Sequence, residues 1–148
     1  MPEYSYKAVN RDMGRAIHHY DMIADGDRIL VGVSGGKDSL SLLWMLAERL
    51  HRIPIDYQLV PVYVDPGFEG GFAGPLEDWC RQMGMELRVE YTDHGIKAHS
   101  SENRENPCFL CARRRRQRIF EVADSLGCAK IALGHHKDDI LETFFINM

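Results

Sequence analysis

Residues 30–39 read Leu-Val-Gly-Val-Ser-Gly-Gly-Lys-Asp-Ser. An apolar run stops at Ser34, two glycines follow, and an amphipathic segment begins at Ser39. That order predicts a strand, a tight turn and the start of a helix. Glycine lets the backbone approach a ligand closely, and the free N–H groups of a helix N-terminus attract an anion. Lys37 adds a full positive charge beside them. An ordinary strand-to-helix turn has no need of turn residues, anion donors, a cation and hydroxyls within six positions, so the segment is read as an anion-binding loop.

Outward from this loop, strands and helices alternate. Strands are predicted at 28–33, 57–64, 86–91 and 130–133. Helices are predicted at 5–23, 40–52, 75–83 and 109–126, and another begins at 137–148. In the first helix Val9, Met13, Ile17 and Met22 fall near one face, and in the second Leu42, Leu43, Leu46 and Leu50 point inward. Residues 92–107 are polar and read as irregular. The fold class is α/β, an open parallel sheet with helices on both faces. Residues 1–24 form an N-terminal helical segment and 25–148 the main domain.

The 148 residues suffice for one domain with a real core. The 45% hydrophobic and 27% charged residues exclude a disordered chain. A net charge of −4 excludes an overall basic field, so contact with nucleic acid would need a local patch. The densest apolar stretch, 42–47, is far short of a membrane span, and the N-terminus lacks a signal-peptide apolar region, so no membrane association and a cytoplasmic location are expected. Cysteines at 80, 108, 111 and 128 then read as thiols or metal ligands rather than a disulfide framework.

Two further motifs carry chemistry. Cys108-Phe109-Leu110-Cys111 is followed by Arg113, Arg114, Arg115 and Arg116, with Arg118 beyond. Cysteines three apart at a helix start put both sulfurs on one side, which suits a metal or an iron–sulfur cluster. Half a zinc site, a redox pair and two unrelated thiols stay open, although no second C-x-x-C completes a zinc set. Neighbouring cations favour thiolates. The arginines go around more than one helix face, so some of them should meet phosphate. The other motif, Gly134-His135-His136-Lys137-Asp138-Asp139, follows the fourth strand, at the sheet edge where ligands bind. It suits contact with ribose, magnesium or a base; Asp138 and Asp139 also suit a helix first turn. His136 is read as facing solvent.

The loop is not a Walker A sequence, because three residues separate Gly32 from Gly36 and Asp38 stands where Ser or Thr belongs. A G-x-G-x-x-G fingerprint is also absent. The loop resembles the Ser-Gly-Gly-x-Asp-Ser signature of the N-type ATP pyrophosphatases, or PP-loop superfamily. These enzymes cleave ATP between its α and β phosphates and adenylate a substrate oxygen.

Taken together, the loop at 34–39, the C-x-x-C with trailing arginines, and the run Leu-Gly-His-His-Lys-Asp-Asp-Ile-Leu-Glu-Thr-Phe-Phe-Ile-Asn-Met at 133–148 resemble the tRNA 2-thiocytidine synthetase family. The resemblance extends from about Asp27 to the last residue. It implies an adenine nucleotide alpha hydrolase-like, Rossmann-like fold. It also implies an ATP-dependent tRNA sulfurtransferase that activates C2 of cytidine 32 with ATP and Mg2+ and replaces its oxygen with sulfur. Such enzymes carry a [4Fe-4S] cluster on three cysteines.

Carried over, the resemblance assigns Ser34, Gly35, Gly36, Lys37, Asp38, Ser39, Asp65, Gly134 and His135 to ATP, with Asp65 near ribose or adenine. Lys37, Asp38 and Asp139 become catalytic, Asp38 and Asp139 helping to place Mg2+. Cys108 and Cys111 become two cluster ligands, the third lying past residue 148. Cys80 and Cys128 match neither and are read as buried thiols. Arg113, Arg114, Arg115 and Arg116 would hold the tRNA backbone. The implied partners are tRNA and a sulfur donor such as a cysteine desulfurase, with a homodimer possible.

A 2-thiouridine enzyme of the same superfamily, a non-catalytic nucleotide-binding module and a zinc-binding interaction module on Cys108 and Cys111 are the alternatives. The C-x-x-C with its arginines and the Gly-His-His-Lys-Asp-Asp run argue against a lysidine synthetase. Ile140, Leu141, Phe144, Phe145 and Met148 form an apolar stripe with neither a C-cap nor a fifth strand after it. The family's usual core has five strands, so a portion of a longer protein is expected.

Overall fold

The computed structural model describes residues 3–34, 36–68, 73–101 and 106–134. Along them run α1 (Glu3–His19), β1 (Asp27–Gly32), α2 (Lys37–Arg49), β2 (Tyr57–Asp65), α3 (Ala73–Gln82), β3 (Arg88–Tyr91), α4 (His94–Ala98), α5 (Pro107–Leu126) and β4 (Lys130–Leu133). The strands form one parallel sheet in the order β3-β2-β1-β4. The chain winds outward from β1 through β2 to β3, then crosses back to lay β4 on the other side of β1.

Strand periodicity explains the two layers of helices. Ile29, Val31 and Val33 point to one face, where they pack with Leu43 and Leu46 of α2, Leu76 and Cys80 of α3, and Tyr57 and Tyr63. Leu30 points to the other, where it meets Val62, Val64 and, on α5, Ile119, Val122 and Ala123. Alternate residues of one strand thus feed two cores, as a doubly covered parallel sheet requires. The expected α/β architecture with helices on both faces is the one observed.

Several boundaries differ from expectation for local reasons. The first helix stops at His19 rather than 23, Asp21 takes φ +48, and Val9 and Met22 of the expected inner face are about half exposed. The second helix starts at Lys37 rather than 40, because its first turn is polar and only its later turns carry the apolar stripe. The third strand starts at Arg88 rather than 86, and the fourth helix at Pro107, whose missing N–H costs nothing in a first turn. Within the segment read as irregular lies α4, seated by Gly95: a Cβ there would come within 2.5 Å of the Phe68 ring and 2.8 Å of Pro66 Cβ. The helix expected at 137–148 lies outside the described residues.

An ion pair joins the amino ends of the two strands flanking the crossover. The Asp27 carboxylate accepts from the Ala24 N–H at 2.7 Å and from Lys130 Nζ at 2.5 Å. The Ala24 N–H, and after it Lys130, holds this carboxyl below its usual range. A depressed folded-state pKa stabilises above the unfolded carboxyl value of about 4, and that stabilisation is lost as pH falls through the folded value. Asp27→Asn is therefore expected to lower the urea midpoint at pH 7, with a narrower gap to wild type at pH 3. An equal gap at both pH values would refute the ion-pair account.

Candidate functional site

Strand order reverses between β1 and β4, and in open parallel sheets the crevice beyond such a reversal is where ligands bind. The loop after β1 and the residue after β4 meet there, because Gly32 pairs with Leu133 at the strand ends. Their contact excludes side chains. A Cβ on Gly134 would sit 2.7 Å from Ser39 N and 2.9 Å from the Asp38 carbonyl carbon. A Cβ on Gly32 would sit 2.6 Å from Leu133 Cδ2.

The loop holds its shape through a closed set of hydrogen bonds. Val33 is still joined to the sheet, its N–H donating to Val62 O at 2.8 Å. Ser39 Oγ, in a residue only 4% exposed, accepts from Ser34 N at 3.1 Å and Ser34 Oγ at 3.2 Å, and donates to Gly36 O at 3.0 Å. Ser34 Oγ in turn accepts from Gly36 N at 3.3 Å. Both hydroxyls are thus committed to the loop itself. The first N–H groups of an α-helix have no intrahelical partner, and in α2 they belong to Lys37, Asp38 and Ser39. Lys37 and Asp38 are exposed around them. The result is a rigid turn with backbone donors and a cation at the open sheet edge, an arrangement suited to oligophosphate.

Asp65 stands three residues beyond the level of Gly32, since Gly32 pairs with Val62 and β2 continues to Asp65. It is 7% exposed. Its Oδ1 accepts from Gly67 N at 2.7 Å, and its carbonyl accepts from Thr92 N at 3.0 Å and Thr92 Oγ1 at 2.6 Å. Asp65 therefore braces the turn after β2 and ties it to the end of β3, a structural task its sequence position does not reveal.

Helix α5 carries its own chemistry to this edge. Ile119 Cδ1 lies 3.5 Å from where a Gly32 Cβ would be, so Ile119 is level with the end of β1. At the rise of an α-helix, Cys111 stands about 12 Å farther along the axis, beyond the strand ends. Cys108 lies on the first turn of the same helix. Cys111 is a free, half-buried thiol. Cys80 is fully buried and burial pushes its thiol pKa up. Cys128 is half-buried rather than buried, its pKa also raised by burial, and it lies past the far end of α5. Neither can reach Cys111. The Cys108–Cys111 pair has the donor chemistry for a thiolate-ligated metal or cluster. Among the described residues no group of three or more His, Cys, Asp or Glu gathers around it.

The arginines divide by exposure: Arg113 and Arg114 are exposed, whereas Arg115, Arg116 and Arg118 are half-buried. Arg114 and Arg118 line one cavity with His94, Gln117 and Glu121. Burial, then the charges of Arg114 and Arg118, hold His94 below the usual imidazole pKa. The sequence reading passed over His94 and Gln117; the four-residue spacing of Arg114 and Arg118 was the available signal. Gly35, His135 and Asp139 lie outside the described residues.

Residues 6–148 match the PP-loop domain family. The chain is 42% identical over 143 residues to a tRNA-cytidine(32) 2-sulfurtransferase of Pelobacter propionicus, covering 96% of this chain and 53% of that protein. It is equally 42% identical to a tRNA-cytidine(32) 2-sulfurtransferase of Geotalea daltonii, covering 57% of it. The chain thus spans about half the length of the curated relatives it matches. Among solved structures, a U34-tRNA thiolase from Methanococcus maripaludis, determined with its [4Fe-4S] cluster, superposes with a TM-score of 0.78 at 27% identity, over 96% of this chain and 48% of that one. With the glycine-rich turn, the strand reversal and this match in agreement, the chain belongs to the PP-loop domain family.

Proposed function

We propose that this chain is the nucleotide-binding part of an ATP-dependent tRNA sulfurtransferase that makes 2-thiocytidine. The carrying observation is the loop closed by Ser34, Gly36 and Ser39, which sets the first turn of α2, whose N–H groups have no intrahelical acceptor, and the exposed Lys37 at the β1/β4 edge. Residues 25–148 form the nucleotide-binding unit. Within residues 1–24, the helix α1 is held on it, with Tyr6 Oη donating to Glu48 Oε1 at 2.6 Å.

The residues divide the work as follows. Backbone N–H groups of residues 34–39 hold the phosphates. Lys37 neutralises the charge that develops at the α-phosphorus when the cytosine O2 attacks and pyrophosphate leaves. Asp38, exposed in the first turn, and Asp139 hold Mg2+, which when bound screens the phosphate oxygens. Asp65, Gly134 and His135 flank the ribose and adenine. A sulfur nucleophile then adds at C2 and AMP departs with the former base oxygen. Cys108 and Cys111 would supply two of the ligands to a [4Fe-4S] cluster, which when bound presents an iron for sulfur. Arg113, Arg114, Arg115 and Arg116 hold the tRNA backbone, and a cysteine desulfurase-type donor supplies sulfur.

Cytidine is preferred to uridine as the target because the 2-sulfurtransferase relatives are 42% identical and the U34 thiolase 27%. Among the described residues no helix is long and apolar enough to cross a membrane, in keeping with a cytoplasmic tRNA enzyme.

Lys37→Ala is expected to lower tRNA-dependent pyrophosphate release from ATP by at least about 100-fold while the urea midpoint stays put, because the side chain is exposed. Undiminished release would refute the proposal. Ser39→Ala should behave differently. It strands the Ser34 N–H and removes one of the two bonds to Gly36 O, whose other donor is the Leu40 N–H, so stability should drop by about 1–2 kcal/mol, and titration with a non-hydrolysable ATP analogue should show weaker binding. Wild-type stability and affinity in that variant would show that the hydroxyl does not shape the loop.

A further inference from the structure

We infer that the cavity between α4 and α5, walled by His94, Arg114, Gln117 and Arg118, is a seat for one phosphodiester of the RNA substrate; this rests on the tRNA reading above. The cavity measures about 210 Å3, and its fifth lining residue is Glu121. His94 Nδ1 and Arg118 Nε are both buried without a hydrogen-bond partner. A buried polar atom left unpaired is destabilising, so two on residues that wall one cavity mark a place where a ligand completes the structure.

The missing ligand is an acceptor. Arg118 Nε–H can only donate, and a neutral imidazole with its proton on Nδ1 donates as well. Arg114 adds a second guanidinium, and the Gln117 amide can supply a further N–H. Of the acids nearby, Asp93 Oδ2 pairs with Lys97 Nζ at 3.1 Å, and Glu121, itself in the cavity wall, reaches Arg118 NH1 at 3.7 Å, so the Nε of that guanidinium keeps its donor unspent. An anionic oxygen bonded jointly to His94 and Arg118 fits this donor set.

Location favours RNA over the nucleotide. His94 follows β3, which lies two strands from β1, about 10 Å across the sheet. The loop after β1 already offers donors for a triphosphate, so the α4–α5 cavity is a second phosphate position. Arg114 and Arg118 are three and seven residues after Cys111, on the same helical face. A backbone phosphate held here would run the RNA along the stripe of α5 that leads to Cys111. The seat is thus a positioning device: it selects Arg114 and Arg118 out of the arginine run and adds His94, which no charge pattern marks.

The test is fluorescence-anisotropy titration of the intact protein with unmodified tRNA across a range of salt concentrations. Arg118→Met and Gln117→Glu, the latter placing a carboxylate in the exposed wall, should each weaken tRNA binding about tenfold. The slope of log affinity against log salt should fall by about 0.7–0.9 in Arg118→Met, the signature of one lost phosphate contact. Affinity for a non-hydrolysable ATP analogue should be unchanged in both, and Arg81→Gln, on the distant α3, should bind tRNA like wild type. Wild-type tRNA affinity and slope in both cavity variants would overturn the inference while leaving the sulfurtransferase reading intact. Loss of ATP-analogue affinity with tRNA binding retained would overturn it by assigning the cavity to the nucleotide. Failure of the wild-type protein to bind tRNA would remove both readings.

Discussion

Everything at the ligand edge depends on how closely the end of β4 lies against the loop that leaves β1. β1 is the one strand with a neighbour on each side of the reversal and a core on each face. Its carboxyl end has no freedom to shift, because Gly32 is in register with both Val62 and Leu133. The loop must then turn within a few residues, and Gly134 comes up against the backbone of Asp38 and Ser39. A side chain at Gly134 would push the first turn of α2 away from the sheet, and the donors that turn presents would lose their aim. The hydrogen bonds of Ser39 finish the work from inside the loop. For the phosphate chemistry proposed above, rigid donors matter because electrostatic stabilisation is greatest when no reorganisation is needed.

A second consequence of the crossover is the placement of α5. The helix must run from the β3 edge back to the start of β4, so its amino end overhangs the same side of the sheet as the loop after β1. Ile119, level with Gly32, divides it: Ile119, Val122 and Ala123 share a core with Leu30, Val62 and Val64, and the turns before Ile119 run on past the end of β1. This is how a chain of net charge −4 gathers arginines at one edge. The basic character is local, confined to the overhanging turns, and the cysteine pair rides on the same segment. The glycine-rich loop and the cysteine pair therefore share an edge although about seventy residues of chain separate them.

The sequence made β1 and β2 legible because each carries a dense apolar run buried on both faces, and 130–133 is bounded as expected, whereas β3, Arg-Val-Glu-Tyr with exposed ends, takes its place by pairing with β2. It made the loop legible because Gly-Gly followed by Lys and Ser combines turn chemistry with charge. It concealed whatever depends on contacts remote in the chain. Polar first turns such as Lys37–Ser39 are invisible to apolar periodicity. α4 is five residues long and exists because Gly95 lets it settle on Pro66 and Phe68, a tertiary contact. Cys128 looked like a core thiol, yet it sits in the turn after α5 with its N–H bonded to Ala123 O and only part of its surface covered. His94 carries no pattern of its own; its surroundings come from α5, and only the folded chain brings Arg114 and Arg118 to it.

Burial separates residues that build this edge from those free to act there. Ser39 and Asp65 are the buried polar residues at the edge, and each bonds neighbouring backbone: Ser39 commits its one hydroxyl to Ser34 and Gly36, and Asp65 commits one of its two carboxylate oxygens to Gly67. Lys37 and Asp38, two residues and one residue before Ser39, are exposed and carry full charges. Motif matching treats all of these alike, as ligands to one nucleotide, but the hydrogen bonds assign them different tasks. A residue whose acceptor capacity is consumed by its own loop contributes to binding through the shape it imposes, whereas an exposed charge contributes through its field at the phosphate. Substitutions at the two kinds of position should therefore separate loss of fold from loss of chemistry, and the same division runs through the arginines of α5, where the half-buried Arg118 with its unpaired Nε stands apart from its exposed neighbour Arg114.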